Sequence, residues 1–205
     1  MSQRNAQAEQ RRPRLFIAAE LPALVTELLG EVIHHLRGQG VEGVRWVRPE
    51  GVHLTLKFLG ETPEERLEAI AQAMAQAAVQ TPPFALNIQG VGAFPNLRAP
   101  QVVWLGLSGQ VEVLKELQSA LEQTLEQAGF PREGRAFSPH LTLGRVNGRL
   151  TPGQLQALSA GLKGAGAVEF PEVSVDAMSL IESLLERSGA RYVQRAVVRL
   201  GRELA

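Results

Sequence analysis

His53-Leu54-Thr55-Leu56 recurs letter for letter as His140-Leu141-Thr142-Leu143. The chain holds only four histidines and seven threonines, so chance leaves little room for two identical placements. HLTL alternates with period two, the pattern of a strand with one buried face. His53 and Thr55 point to one side and Leu54 and Leu56 to the other. His140, Thr142, Leu141 and Leu143 divide in the same way. Two strands that each present an imidazole and a hydroxyl on one face, backed by leucine, predict a two-histidine phosphate site. The copies lie in different halves of the chain, which predicts two similar lobes facing each other with one His-Thr pair from each.

The rest of the pattern supports this architecture. Arg14–Glu20 reads as a short buried strand, followed by a helix from Pro22 to Gly38 with proline in its first turn and glycine at its end. Val44–Val47 and Val52–Leu59 read as a strand pair around a Pro49-Glu50-Gly51 turn. Thr62–Gln80 reads as an alanine-rich helix with Thr62 as its cap and Glu65 in the capping-box position. Phe84–Phe94 and Val102–Leu107 are strands, and Gln110–Ala128 is an amphipathic helix. Phe137–Val146 carries the second HLTL, and Thr151–Leu162 is a helix capped by Thr151. Val168–Glu186 and Arg191–Leu200 form a hairpin around Arg187-Ser188-Gly189-Ala190. The predicted fold is α+β: two pseudo-symmetric lobes of mostly antiparallel sheet, helices outside, and the site in the cleft between them.

Composition narrows the chemistry. The 205 residues are 44% hydrophobic with zero formal net charge, so no global basic field draws in long nucleic acid. Basic residues are mostly arginine, suited to bidentate phosphate contacts and base stacking, although a general compositional bias accounts for the skew equally simply. Without cysteine, the chain has no disulfide, thiolate nucleophile or cysteine-bound zinc. Residues 1–13 are polar with no apolar run and are expected to be a disordered tail before a single bilobal domain, 14–205. No stretch reaches membrane-span length, and the expected setting is cytoplasmic.

In-line transfer at phosphorus places the attacking and leaving oxygens on opposite sides. Without a metal, one group removes a proton from water and another supplies one to the leaving oxygen. Histidine does both near neutral pH. Threonine hydroxyls can hydrogen-bond the non-bridging oxygens without adding a competing acid. Arg145 and Phe58 each follow a histidine by five residues. On a regular strand that places them on the opposite face, so a site role requires an irregularity, with Gly60 and Gly144 as the candidates.

The H-x-T-x pair resembles the 2H phosphoesterase superfamily. Arg14–Ala18, Trp46-Val47, His53–Gly60, Gly92–Pro95 with Val103-Trp104, Pro139–Arg145, and the late Ser183-Leu184, Gly189-Ala190 and Tyr192 resemble the bacterial and archaeal RNA 2',3'-cyclic phosphodiesterases, historically called 2'-5' RNA ligases. The resemblance covers nearly the whole chain from Arg14 to Leu200. It implies a two-lobed fold, no metal and no cofactor, and hydrolysis of a terminal 2',3'-cyclic phosphate to a 2'-phosphate. It further implies His53 as proton donor, His140 as proton acceptor, Thr55 and Thr142 on the phosphate, and Arg145 and Phe58 around the terminal base. The family often has alanine before that arginine, where this chain has Gly144. The implied partners are RNA 3' ends or small nucleotides carrying the cyclic phosphate, and the zero net charge favours a monomer acting on them over one that grips long duplexes.

Other residues have plainer readings. His34 and His35 fall near a helix C-terminus and suit its dipole. Lys57 and Arg14 are possible cleft residues. Arg45, Arg48, Arg132 and Arg135 either guide an RNA strand or form a solvated surface. Trp46 and Trp104 read as core or rim aromatics. The competing functions are reversible 2'-5' ligation, in which a 5'-hydroxyl replaces water, and a module that grips RNA ends without turnover. A metal phosphodiesterase is disfavoured by the single aspartate, Asp176, and the lack of a histidine-carboxylate cluster.

Overall fold

The structure, a computed structural model, describes residues 11–186 and 189–201. Alternating hydrophobic segments form strands β1 (Arg14–Ala19), β2 (Val44–Trp46), β3 (Leu54–Glu61), β4 (Phe84–Phe94), β5 (Val102–Gly109), β6 (Leu141–Val146), β7 (Val173–Val175), β8 (Ala177–Glu186) and β9 (Gly189–Arg199). Segments of helical period form α1 (Ala23–Gly38), α2 (Leu67–Ala78), α3 (Val111–Gln127) and α4 (Pro152–Ala165). Every strand pairing is antiparallel. All nine strands join one sheet in the order β7-β4-β5-β6-β3-β1-β8-β9, with β2 added to β6.

Two lobes meet at the centre of this sheet, where β3 and β6 pair only at Leu54 opposite Leu141. Beyond that pair the strands part, and β2 takes over the edge of β6 at Val44–Trp46. The sequence predicted that β2 and β3 pair with each other. They instead follow one another along β6, β3 at Leu141 and β2 at Gly144–Val146, separated by a 3₁₀ turn at Pro49–Gly51 and the extended Val52.

The lobes do not coincide with the two halves of the chain. β4 comes from the first half but lies beside β5, and β8 comes from the second half but lies beside β1. The helices interlock likewise: α1 packs on α4, α2 packs on α3, and α3 also backs β3. One main core results, with Leu54, Leu56, Leu141 and Leu143 buried together with helix residues such as Leu29, Met74, Leu117 and Leu158, and a smaller cluster joins Phe16, Ala18 and Ile181. Burying a leucine or methionine side chain contributes about 1.5–3 kcal/mol, so the leucines of both HLTL copies anchor the sheet that presents their histidines.

Two local expectations change. Thr62 does not cap a helix: its hydroxyl donates to Leu59 O and Gly60 O, and α2 begins later, after a 3₁₀ turn at Glu64–Arg66. Thr151 does cap α4, in a capping box with Gln154. Of the expected tail, residues 1–10 lie outside the described residues, as do Arg187 and Ser188 of the expected hairpin turn. Arg11 pairs with Glu64 and with buried Glu182, and Pro13 O accepts from Thr62 N. No helix among the described residues is long and apolar enough to cross a membrane.

Candidate active site

The site is built on the crossing of β3 and β6. His53 and His140 each stand just before the strand that carries them, next to the single pair Leu54–Leu141. Thr55, His140 and Thr142 line one chamber, while Leu54, Leu56, Leu141 and Leu143 are buried.

Each imidazole is held in the same way. His53 Nδ1 lies 3.0 Å from Gly51 O, and His140 Nδ1 lies 2.7 Å from Ser138 O. A carbonyl only accepts, so Nδ1 carries the proton in both rings. That leaves Nε2 as the ring nitrogen outside this bond, one that can act as a base when bare and an acid when protonated. Aromatic edges fix the ring planes. His53 packs against Phe16 at 5.4 Å and Tyr192 at 4.9 Å, and His140 against Phe94 at 5.0 Å, all edge-on.

These surroundings favour the neutral rings. Burial pushes His53 below the ordinary histidine value, opposed by its bond to Gly51 and by the charge of Glu20. Burial lowers His140 as well; its bond to Ser138 opposes the shift and the Arg145 guanidinium adds to it.

Phe58 and Arg145 reach the same face through matched bulges. On β3, Thr55 is opposite Ala18 while Lys57 is opposite Ile17, so Leu56 is the extra residue. On β6, Thr142 is opposite Trp104 while Gly144 is opposite Val103, so Leu143 is the extra residue. One unpaired residue reverses the alternation, which turns Phe58 and Arg145 toward the histidines. The irregularity that turns these two side chains thus falls at the last leucine of each HLTL, while a second shift on β3 leaves Leu59 extra beside Gly60, whose φ is 68°. Gly144 has a different role: a Cβ there would lie 2.8 Å from Trp46 Cε3. Trp46 fills the space an alanine would need.

A chamber of about 530 Å³ gathers Thr55, Phe58, His140, Thr142 and Arg145, with Phe94 and Arg135 also on its wall. His53 stands at its border, its ring turned to Tyr192, which lines a second chamber. Arg145 lines both. Lys57, a possible cleft residue from sequence, does line the first chamber, but its ammonium is buried: Nζ donates to Glu122 Oε2 at 2.8 Å and Pro131 O at 2.7 Å. Arg132 pairs with Glu126, and His34 and His35 are exposed on α1, away from the site. Phe16, Phe94 and Tyr192 were legible only through resemblance. Their contacts with the histidines join residues far apart in sequence, and no local pattern marks them. Among the described residues no group of three or more His, Cys, Asp or Glu could hold a metal ion.

A family model described as LigT like Phosphoesterase matches the chain twice, over residues 19–104 and 105–192. The chain belongs to the LigT-like phosphoesterase family. The two matches each contain one H-x-T strand, in agreement with the matched bulges. Among its relatives is an RNA 2',3'-cyclic phosphodiesterase of Archaeoglobus fulgidus, 35% identical over 179 residues, covering 87% of this chain and 96% of the relative. One of the same name from Thermotoga maritima is 33% identical, covering 87% and 91%. A solved structure from Thermus thermophilus is similar to this LigT-like chain with a TM-score of 0.72 and 30% identity, covering 92% of this chain and 98% of the other. LigT of E. coli in complex with 3'-AMP is similar with a TM-score of 0.68 and 28% identity, covering 93% and 99%.

Proposed function

We propose that this LigT-like phosphoesterase hydrolyses the 2',3'-cyclic phosphate at an RNA end to a 2'-phosphate, using two histidines and no metal. The observation that supports this reading is the β3–β6 pair, Leu54 with Leu141, beside which both imidazoles are pinned through Nδ1 to a backbone carbonyl. The activity named for its relatives supports the substrate class.

In the reaction, His140 Nε2 takes a proton from water as the water oxygen bonds to phosphorus. The P–O3' bond breaks on the far side, and His53 Nε2–H gives its proton to O3'. The phosphate stays on O2', and the exchange leaves His140 protonated and His53 neutral. Thr55 and Thr142 hydrogen-bond the non-bridging oxygens. Arg145 offsets the phosphate charge and, with Phe58 across the chamber, flanks the terminal base.

The test is an RNA oligonucleotide ending in a 2',3'-cyclic phosphate, incubated in EDTA with wild type, His53→Ala and His140→Ala. Conversion to a 2'-phosphate by wild type alone is expected. A 3'-phosphate product would reverse the assignment of the leaving oxygen. Loss of activity in EDTA, restored by metal, would overturn the metal-free mechanism. Binding without turnover would indicate an end-binding module.

A further inference from the structure

The second chamber, about 490 Å³, opens beside the first and shares Arg145 with it. Its wall is formed by β2, the turn before His53 and the β8–β9 end, including Arg45, Trp46 and Tyr192. Tyr192 links it to the catalytic face, with its ring 4.9 Å from that of His53. Gly51 permits this approach, since a Cβ there would lie 2.9 Å from Tyr192 Cε2.

The chamber is arranged for an anion. Arg45 and Arg145 are register partners on β2 and β6, so their side chains rise side by side from one face. Their Cβ atoms stand about 4.5–5.5 Å apart, and like charges so opposed are destabilising unless an anion lies between them. Both are exposed, and neither forms an ion pair with any described residue. The carboxylate on this wall, Glu186, is taken by Arg191 at 2.6 Å. The adjacent Tyr192 ring offers a surface on which a base can stack.

We propose that this chamber is a subsite for the RNA nucleotide that precedes the terminal one, with the connecting phosphodiester held between Arg45 and Arg145. The inference deepens the proposed function and rests on it. It makes Arg45 a determinant of preference for a strand over a mononucleotide. Arg145 serves both chambers because it lies where the terminal nucleotide joins the strand.

Two measurements test this. In the first, kcat/KM is compared for 2',3'-cyclic AMP and for the dinucleotide ApA ending in a 2',3'-cyclic phosphate. Wild type is expected to favour the dinucleotide by about tenfold. Arg45→Gln is expected to remove most of that preference, leaving the mononucleotide within about twofold. Equal use of both substrates by wild type, or an equal loss on both in the variant, overturns the subsite. In the second, calorimetry measures binding of ApA-2'-phosphate and of 2'-AMP across a salt series. This arm needs no turnover, so it separates failure of the subsite from failure of the hydrolytic reading. Arg45→Gln is expected to weaken only the dinucleotide and to make its binding less sensitive to salt. Displacement of the dinucleotide's extra affinity by an equal concentration of inorganic phosphate would mark a free-anion site and overturn the strand assignment.

Discussion

Lys57→Met probes a buried link between the core and the segment that presents His140. Lys57 lies on β3 between Thr55 and Phe58, with a side chain 3% exposed, against Glu122 of α3 at 10%. Its Nζ also donates to Pro131 O, at the start of the loop leading to Ser138 and His140. Methionine keeps the apolar stem and removes the ammonium. Breaking a buried pair by removing one partner costs about 3–5 kcal/mol because a charge is left uncompensated. Glu122 retains bonds from Gln118 Nε2 at 3.2 Å and Glu133 N at 3.3 Å, which places the expected loss near the lower bound. A loss of about 3 kcal/mol with an m-value of about 2 kcal/mol/M lowers the urea midpoint by about 1.5 M. Adding Glu122→Gln removes the stranded charge and keeps an acceptor for Gln118 or Glu133. The double variant is therefore expected to recover about 2 kcal/mol, with about 1 kcal/mol still lost for the unpaired Pro131 carbonyl. Urea unfolding followed by circular dichroism measures both. A single-variant loss below about 1 kcal/mol, or a double variant less stable than the single, would refute the buried-charge reasoning.

The same geometry yields further expectations. His53→Ala and His140→Ala should each lower kcat/KM by at least about a hundredfold, measured on the cyclic-phosphate oligonucleotide; retention of most activity in either would remove that residue from proton transfer. The kcat/KM–pH profile should be a bell with its maximum on the acid side of about 6.5, because burial lowers both histidines and the active form has one protonated and one neutral ring. Bound phosphodiester favours the imidazolium, so the kcat bell should sit at higher pH than that of kcat/KM, and stopped-time assays in constant-ionic-strength buffers would show the separation. Stability carries the same sign: the unfolded chain takes up protons first as pH falls below about 6.5, so chemical denaturation should show stability declining from there through the depressed folded values. Gly92→Ala places a Cβ 2.4 Å from Trp104 Cζ2, next to the position of Thr142. It should cost about 1–3 kcal/mol through overpacking and lower activity, both readable by denaturation and by rate per folded molecule.

The sequence carried the chemistry because strand alternation is local. A histidine and a threonine two residues apart share a face wherever the strand lies, and the backing leucines declare which face is buried. The repeat, the run of helices and strands and the Thr151 cap were legible for the same reason: each depends on neighbours within a few residues. Tertiary structure decided what depends on residues distant in sequence. Only the pairing of β3 with β1, and of β6 with β5, shows Leu56 and Leu143 to be extra residues, and only those bulges bring Phe58 and Arg145 to the histidines. Glycine marked irregularity in the sequence, whereas these two bulges fall on leucines whose burial is a property of the assembled core. Lys57 could not be told from a cleft cation until α3 supplied Glu122 from the other half of the chain. The exchange of β4 and β8 between lobes is likewise invisible in a linear pattern, since a strand's hydrophobic period states which face it buries and says nothing of which edge it joins.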